Sequence, residues 1–311
     1  FKQWTELKNY ANQKGIQIIG DMPIYVAADS VEVWTKPELF QLDEERNPLF
    51  VAGVPADQFS ATGQLWGNPL YAWEEHKKQG YAWWIHRIEE SFKIYDVLRI
   101  DHFKGFSDYW QVDGKAEVAK DGSWQPGPGY DLFKAVKEQL GDLPIIAEDL
   151  GNIDDKARKL LTDCNYPGMK ILQFGFEDVS GESLDSPHYC IPHSIVYTGT
   201  HDNDVTNGWY NSLTEQQQQY INDYTHRHED ESICQAMIRQ LFATVSNTAI
   251  ATMQDVLDLP ASSRMNVPST IGGNWQWRMQ QSDLTQDKKD FLARTTTLYQ
   301  RANQEKHNDE I

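Results

Sequence analysis

Carboxylate side chains follow four of the short apolar runs in this sequence. They are Asp21 after residues 16–20, Asp101 after 97–100, Glu148 after 145–147, and Asp202 shortly after 194–197. If each run is a strand of a parallel sheet, the carboxylates converge at the edge where the strands end. Such a cluster suits glycosyl transfer, in which one carboxylate attacks the anomeric carbon and a protonated one donates to the leaving oxygen. Packing like charges together raises the pKa of the acid toward a useful value.

Asp and Glu residues at the ends of strands commonly have two other roles. A single Asp or Glu after a strand is often the N-cap of the next helix or a solvated loop residue, but four in register on successive strands favour a shared site. Metal binding also uses carboxylates, yet the sequence contains neither a D-x-[DN]-x-[DN]-G loop nor an H-E-x-x-H motif. We therefore predict no metal and no cofactor.

Arg99 and His201 lie beside two of the carboxylates in the sequence. Arg99 and Asp101 are two residues apart, so on a strand their side chains point to the same side. There Arg99 either supports a reactive carboxylate or serves only as a structural ion-pair partner. His201 directly precedes Asp202, and from the residues alone it is either a site residue or a packing histidine.

Short apolar runs alternate with helical stretches, the pattern of βα units around a parallel sheet. The predicted strands are 16–20, 97–100, 145–147, 170–174, 194–197 and 249–253. The predicted helices are 81–92, 130–140, 153–162, 215–223 and 233–245, with Ser212 and Glu215 as a capping box. No Gly-rich phosphate loop follows a strand, so an α/β fold of the TIM (β/α)8 barrel type is favoured over a doubly wound open sheet.

The barrel is expected to lack its N-terminal part, with about six of eight strands present. The sequence begins at Phe1 with apolar residues at helical spacing and no N-cap residue before them. Two long connections, 27–80 and 103–128, are rich in Gly, Pro and Trp, and loops of that length are usually functional. We predict a single catalytic barrel domain over 1–311 that carries these loop insertions.

Composition excludes several classes of function. The 311 residues include 28 Lys+Arg and 46 Asp+Glu, and the net charge of −18 argues against a nucleic-acid partner, because phosphate binding needs clustered basic residues. No apolar run approaches the ~20 residues that span a bilayer, so no membrane partner is predicted. The three widely spaced cysteines predict reduced thiols in a cytoplasmic protein. Eleven tryptophans suit either stacking on sugar rings or the packing of a large fold.

Several segments of the sequence resemble the 4-α-glucanotransferases (amylomaltase, or disproportionating enzyme), a branch of the α-amylase superfamily. They are GDMPIYVAADSVEVW at 20–34, GVPADQFSATGQLWGNPLY at 53–71, LRIDHFKGF at 98–106, IIAEDLG at 145–151, PGMKILQF at 167–174, TGTHDND at 198–204, RMNVP at 264–268 and NWQWRM at 274–279. The R-x-D motif, the single glutamate and the H-D pair, taken alone, would indicate only the superfamily. The AEDLG, GTHDND and WGNPLY forms are specific to this branch.

The resemblance implies a role for each candidate residue. Asp101 would be the nucleophile that forms a covalent β-glucosyl–enzyme intermediate, and Glu148 the general acid and then the base. Asp202 would bind the 2- and 3-hydroxyls of the distorted sugar. Three further residues would bind substrate or stabilise the site electrostatically, namely Asp21, Arg99 and His201. A retaining mechanism predicts that the carboxyl groups of Asp101 and Glu148 lie about 5–5.5 Å apart.

The resemblance also implies an acceptor-side loop that contains Phe59, Trp66 and Asn68. In the family this loop is mobile and covers the acceptor, whereas a loop packed by its own aromatic residues is the alternative. Ala56 and Gln58 stand where the family commonly has a second proline and an aromatic residue. This departure puts aromatic stacking at one acceptor or secondary glucan site in doubt.

The implied function is transfer of α-1,4-glucan segments between maltooligosaccharides, with retention of configuration and without a cofactor. One alternative is a retaining α-glucan hydrolase of the same superfamily. Another is a non-catalytic glucan-binding fragment that binds through its tryptophans. Since part of the barrel is expected to be absent, we expect this chain alone to have little or no activity.

Overall fold

A computed structural model describes residues 1–56, 61–151 and 153–302 of the chain. Its strands are β1 Ile19–Met22, β2 Phe50–Val54, β3 Gln64–Pro69, β4 Val97–Ile100, β5 Asp108–Asp113, β6 Ser123–Pro126, β7 Ile145–Ala147, β8 Gly168–Ile171, β9 Ser194–Tyr197 and β10 Thr248–Ile250. Its α-helices are α1 Lys2–Gln13, α2 Val31–Thr35, α3 Trp73–Lys78, α4 Ala82–Ile94, α5 Tyr130–Leu140, α6 Asp155–Cys164, α7 Leu172–Gly175, α8 Thr206–Ser212, α9 Glu215–Thr225, α10 Ile233–Ala243, α11 Met253–Val256 and α12 Gln286–Leu298. The predicted α/β class is confirmed. The chain divides into two compact units, Phe1–Gly168 and Met169–Ile311.

A parallel sheet in the first unit positions four of the predicted site residues, two within its strands and two directly after them. Its strand order is β1-β4-β7, and the register places Asp21 of β1 opposite Arg99 of β4. Leu98, Ile100 and Ala147 are fully buried, so the strands are held by apolar packing on the helices that alternate with them. The sheet thus presents its polar residues at the C-terminal ends of its strands.

The two connections expected to be long loops contribute a second sheet to the first unit. Strands β2 and β3 come from the first connection, and β5 and β6 from the second, in the antiparallel order β3-β2-β5-β6. Val51 and Val112 lie opposite each other and are buried together in a small apolar cluster. Pairing between segments this far apart in sequence overrides their local Gly and Pro content, which is why local propensity misses it.

The second unit contains a sheet of order β10-β9-β8, in which β10 and β9 are parallel. Helix α10 packs an almost continuous apolar face into its core, including Met237 and Leu241, which are fully buried. A capping box formed by Ser232 and Gln235 fixes the start of this helix, because each side chain bonds the other residue's backbone N–H.

Four predictions of local structure are corrected. The strand expected at 249–253 is β10, Thr248–Ile250, and Met253 begins the helix α11. The strand expected at 16–20 is β1, Ile19–Met22, so Asp21 lies within the strand and pairs with β4 instead of following it. The run 170–174 splits into the end of β8 and the helix α7, since periodicity alone cannot separate a short apolar strand from a buried helix. The capping box of α9 uses Thr214 and Gln217, whereas Ser212 ends α8.

Most of the tryptophan content of the first unit is used in packing. The aromatic cluster contains Tyr71, Trp73, His76, Trp83, Trp84 and Phe106 in edge, tilted or stacked contacts. Trp84 is fully buried at its centre. Trp34, Trp66, Trp124 and Trp275 are exposed in part, so packing explains the tryptophan count only in part. No helix among the described residues is long and apolar enough to cross a membrane.

Candidate active site

Arg99 joins two predicted site carboxylates in the first unit. Its buried guanidinium donates from Nη1 to Asp21 Oδ1 at 2.6 Å and to Asp101 Oδ1 at 3.0 Å. The contact with Asp101 follows from their two-residue spacing at the end of β4, and the contact with Asp21 follows from the β1–β4 register. Burial alone would lower the pKa of Arg99, but the charges of the neighbouring carboxylates outweigh it and raise the pKa, so this arginine is a permanent cation at the site.

Backbone hydrogen bonds bring Asp101 and Glu148 to the same edge of the sheet. The N–H of Asp101 donates to the carbonyl of Met22, and the N–H of Glu148 donates to the carbonyl of Ile100, both at 3.0 Å. Each carboxylate thus lies one residue beyond the C-terminal end of its strand, which is where parallel α/β folds have their active sites. These strand ends bring Asp21, Arg99, Asp101 and Glu148 together as the sequence predicts.

The environment of Glu148 separates it from the other acids. Burial and the negative charge of Asp101 together raise the pKa of Glu148 to about 7, against the opposing charge of Arg99. The carboxylate accepts hydrogen bonds from the backbone N–H groups of His102 at 2.7 Å and Leu150 at 3.0 Å. These bonds fix the orientation of a carboxyl group that is poised to hold or release a proton near neutral pH.

His102 is a feature of the site that sequence reasoning missed. It has a left-handed backbone, with φ of +49°, which a non-glycine residue seldom adopts. This conformation aims its N–H at Glu148, and burial lowers the pKa of its imidazole to about 4. The neutral ring meets the Trp66 ring edge-on, with centroids 4.9 Å apart. The only sequence signal is its position directly after Asp101.

The structure describes two of the three predicted acceptor-side residues, Trp66 and Asn68. Trp66, on β3, lies beside His102 and close to Tyr25, and Asn68 donates from Nδ2 to the carbonyl of Val26 at 3.0 Å. Trp66 therefore adjoins the loop that carries Asp101, as expected of a residue near the site. Phe59 lies outside the described residues, and so does Gln58.

Asp202 and His201 lie in the second unit, in the loop after β9. The Nε2 atom of His201 is 3.4 Å from Asp202 Oδ2, and Asn266 donates from Nδ2 to Asp202 Oδ1 at 2.6 Å. Arg264 donates to the backbone carbonyl of Asp202 at 2.7 Å. Asn266 and Arg264 belong to a segment that contributed to the family resemblance, but no role was predicted for either residue.

A small cavity adjoins His201. Its volume is about 210 Å³, and Thr200, Gln254 and Trp275 are among its lining residues. The ring of Trp275 is 61% exposed and lies 5.1 Å from the His201 ring between centroids. Such a cavity combines a flat apolar face with hydroxyl and amide groups, which is the chemistry that binds a sugar ring.

The described residues contain one group of ligand atoms close enough together to hold a metal ion, and it lies apart from these carboxylates in sequence. The group is His86, Glu89 and Glu90, all exposed on α4. Glu90 also pairs with Lys93 one turn further on. Exposed acidic groups of this kind are common on proteins without a bound metal ion.

Comparison with known proteins agrees with these features. A family model described as 4-alpha-glucanotransferase matches residues 1–285. A 4-alpha-glucanotransferase of Streptococcus pneumoniae is 52% identical over 305 residues, which are 98% of this chain and 60% of that protein. The chloroplastic/amyloplastic 4-alpha-glucanotransferase of Solanum tuberosum is 43% identical over 90% of this chain and 49% of its own length. The chain therefore spans about 60% or less of these two relatives.

Solved structures give the same result. The amylomaltase from Streptococcus agalactiae in complex with acarbose has a TM-score of 0.95 and 60% sequence identity, covering 97% of this chain and 61% of that one. The amylomaltase from Corynebacterium glutamicum, at 15% identity and a TM-score of 0.77 over 95% of this chain and 48% of its own, shares the fold. On these grounds the chain belongs to the 4-alpha-glucanotransferase family.

Proposed function

We propose that this chain carries the reacting carboxylates of a retaining 4-α-glucanotransferase acting on α-1,4-glucans and maltooligosaccharides. The observation that carries the proposal is the pair of carboxylates at adjacent strand ends. Asp101 is bound by the Arg99 cation, whereas burial holds the pKa of Glu148 at about 7. Two carboxyl groups in such different environments suit the two roles that retaining glycosyl transfer requires.

The proposed reaction has two steps. In the first, Asp101 attacks the anomeric carbon while Glu148 gives its proton to the departing glycosidic oxygen, which leaves a covalent β-glucosyl ester on Asp101. In the second, ionised Glu148 takes the proton from a 4-hydroxyl of an acceptor glucan, whose oxygen displaces Asp101 from the anomeric carbon. Two inversions give net retention, and no cofactor is needed because the two carboxyl groups supply both nucleophile and proton.

The other predicted residues have supporting roles in this proposal. Arg99 orients Asp101 and holds Asp21, which we assign to the donor sugar. Asp202 and His201 are proposed to bind the sugar hydroxyls and stabilise positive charge in the oxocarbenium-like transition state. The relative named for its acarbose complex supports a site for glucose-like rings in this family.

We propose that six strands are part of one (β/α)8 barrel in one catalytic domain, as predicted from the sequence. They are β1, β4, β7, β8, β9 and β10. The alternation of strands and helices supports it, and so does the similarity to solved amylomaltases. A cytoplasmic location is also proposed, supported by the unpaired state of the three cysteines.

The pH dependence of activity should follow Glu148. Since its pKa is raised to about 7, the group is protonated below that pH and can act as the acid. We expect kcat/KM for maltotriose to be level between about pH 5.5 and 6.5 and to fall about tenfold per pH unit well above pH 7. With α-maltosyl fluoride as donor, whose leaving group needs little protonation, this alkaline fall should be much weaker. A fall with both donors alike would assign the titration to another group.

Trp66 should influence the fate of the glycosyl–enzyme. Its ring adjoins His102, and in the proposed mechanism it helps to hold the acceptor sugar and exclude water. Trp66→Ala is expected to lower the ratio of transfer to hydrolysis about 10-fold while donor cleavage falls less, measured as chain redistribution against new reducing ends. The comparison variant is Trp34→Ala, which removes another exposed tryptophan from α2 in the same unit. Equal ratios in both variants would remove Trp66 from the acceptor site.

Incubation with maltotriose tests the proposed function itself. The purified protein that contains this chain should release glucose and build a ladder of longer maltooligosaccharides, with the total of reducing ends constant. Rising reducing ends without a ladder would identify a hydrolase instead. Binding of glucans with no turnover, unaffected by Asp101→Asn, would identify a non-catalytic binding protein.

A further inference from the structure

The carboxylate of Asp202 is held by a network from one short segment of the second unit. Asn266 donates from Nδ2 to Asp202 Oδ1 at 2.6 Å, and its backbone N–H donates to the carbonyl of His201 at 3.2 Å. Arg264 donates from Nη2 to the carbonyl of Asp202 at 2.7 Å and from Nε to the carbonyl of Asn266 at 2.9 Å. The segment thus contacts the backbone of both site residues and one side-chain oxygen of Asp202.

The loop that carries His201 and Asp202 lacks the regular backbone hydrogen bonds of a helix or strand at this point. Residues 201–203 form turns and a bend after β9, and the local bonds go to the Thr200 hydroxyl and the Asn203 amide. The side chain of Asp202 is 44% exposed. The charge-assisted hydrogen bond from Asn266 to Oδ1 restrains where this carboxylate points.

We propose that Asn266 is a positioning residue that holds the Asp202 carboxylate through Oδ1 in the orientation in which it binds the hydroxyl groups of the donor sugar. The inference rests on the proposed function, in which Asp202 binds those hydroxyls in the transition state. An amide suits this role because Nδ2 is a neutral donor. It restrains the carboxylate and adds no second negative charge.

The test compares two substitutions of Asn266 in the purified protein. Asn266→Ala removes the donor and should lower kcat for maltotriose about 10- to 100-fold, with KM changed less, because the bond acts on a transition-state contact. Asn266→Asp keeps the shape but places a second carboxylate against Oδ1. At neutral pH the two charges repel, whereas at lower pH the pair can share one proton and restore the hydrogen bond.

The two variants should therefore differ in pH dependence. The ratio of Asn266→Asp activity to wild-type activity should rise at least about threefold from pH 8 to pH 5.5, while the ratio for Asn266→Ala stays flat. The other ionisable groups placed at Asp202 include His201, 3.4 Å from Oδ2, and Arg264 on its carbonyl, and all three proteins share them. Comparing ratios thus cancels their titration and that of the general acid.

A matched control exists in the same unit. Asn207 also donates from Nδ2 to an aspartate, Asp258 Oδ1, at 3.2 Å. Asn207→Asp makes the same isosteric change against a different carboxylate, so it should leave the ratio to wild type independent of pH. Thermal melting of each variant reports any loss of folding.

Each outcome decides between the proposals. If Asp202→Asn is inactive but both Asn266 variants keep wild-type kcat, the positioning role is wrong and the proposed function stands. If both Asn266 variants lose activity in proportion to a fall in Tm, with no pH-dependent ratio, Asn266 is merely structural and the inference is overturned. A wild-type protein that neither transfers nor cleaves maltotriose would overturn the proposed function and this inference together.

Discussion

Asp101→Asn is expected to lower transfer from maltotriose at least about 10⁴-fold, because an amide oxygen cannot form the ester on which the second step depends. The fold should survive, since Arg99 retains its 2.6 Å contact with Asp21 when Asp101 loses its charge. Glucan binding should also persist. The measurement is the maltotriose ladder together with thermal melting and binding of acarbose.

Asp108→Asn is the matched control for this change. Asp108 is a buried aspartate at the start of β5 in the same unit, and it pairs with Lys156 at 3.2 Å. Its substitution removes a comparable ion pair without touching the strand ends of the parallel sheet, so kcat should change less than about tenfold. Retention of wild-type transfer by Asp101→Asn would remove the nucleophile from the mechanism.

Glu148→Ala should give the second-largest effect, a fall of about 10²- to 10⁴-fold with maltotriose. With α-maltosyl fluoride the first step should stay within about tenfold of wild type, because fluoride leaves without protonation. The glycosyl–enzyme then accumulates, since no base activates the acceptor. Azide, an anion that needs no base, should restore turnover and give the α-glycosyl azide, which retains configuration.

A different product would contradict the assignment of Glu148. A β-glycosyl azide would mean that azide attacks the donor directly and that Glu148 is itself the nucleophile. Equal losses with both donors would mean that Glu148 acts on binding or folding and not on proton transfer. Asp149→Ala, at the next position along the chain, separates removal of the acid from general disturbance of the loop after β7.

The strands that carry the site could be predicted from the sequence because their signals are local. The runs Val97–Ile100, Ile145–Ala147 and Ser194–Tyr197 are apolar, and the predicted bounds are confirmed. The antiparallel sheet could not be predicted in the same way, because β2 pairs with β5 across more than 50 residues and neither strand is distinguished by its own pattern. The predicted start of β1 is wrong for a related reason, since the pairing of this strand is with β4, more than 70 residues away.

Some contacts of the candidate site could be predicted from the sequence, and others could not. The Arg99–Asp101 contact follows from alternation on a strand, and the convergence of Asp101 and Glu148 follows from parallel strand ends. The left-handed conformation of His102 has no signature in residue type, and the bond from Asn266 to Asp202 joins positions 64 residues apart. Long-range side-chain partners of this kind require the fold before they can be named.

The central claim is that Asp101 forms a covalent glycosyl–enzyme, and trapping that species tests it most directly. The Glu148→Gln variant, mixed with α-maltosyl fluoride and digested after rapid acid quenching, should show a peptide that contains Asp101 and is heavier by one maltosyl residue. The double variant with Asp101→Asn should show no adduct. An adduct on another carboxylate, or direct formation of inverted product without any adduct, would contradict the account.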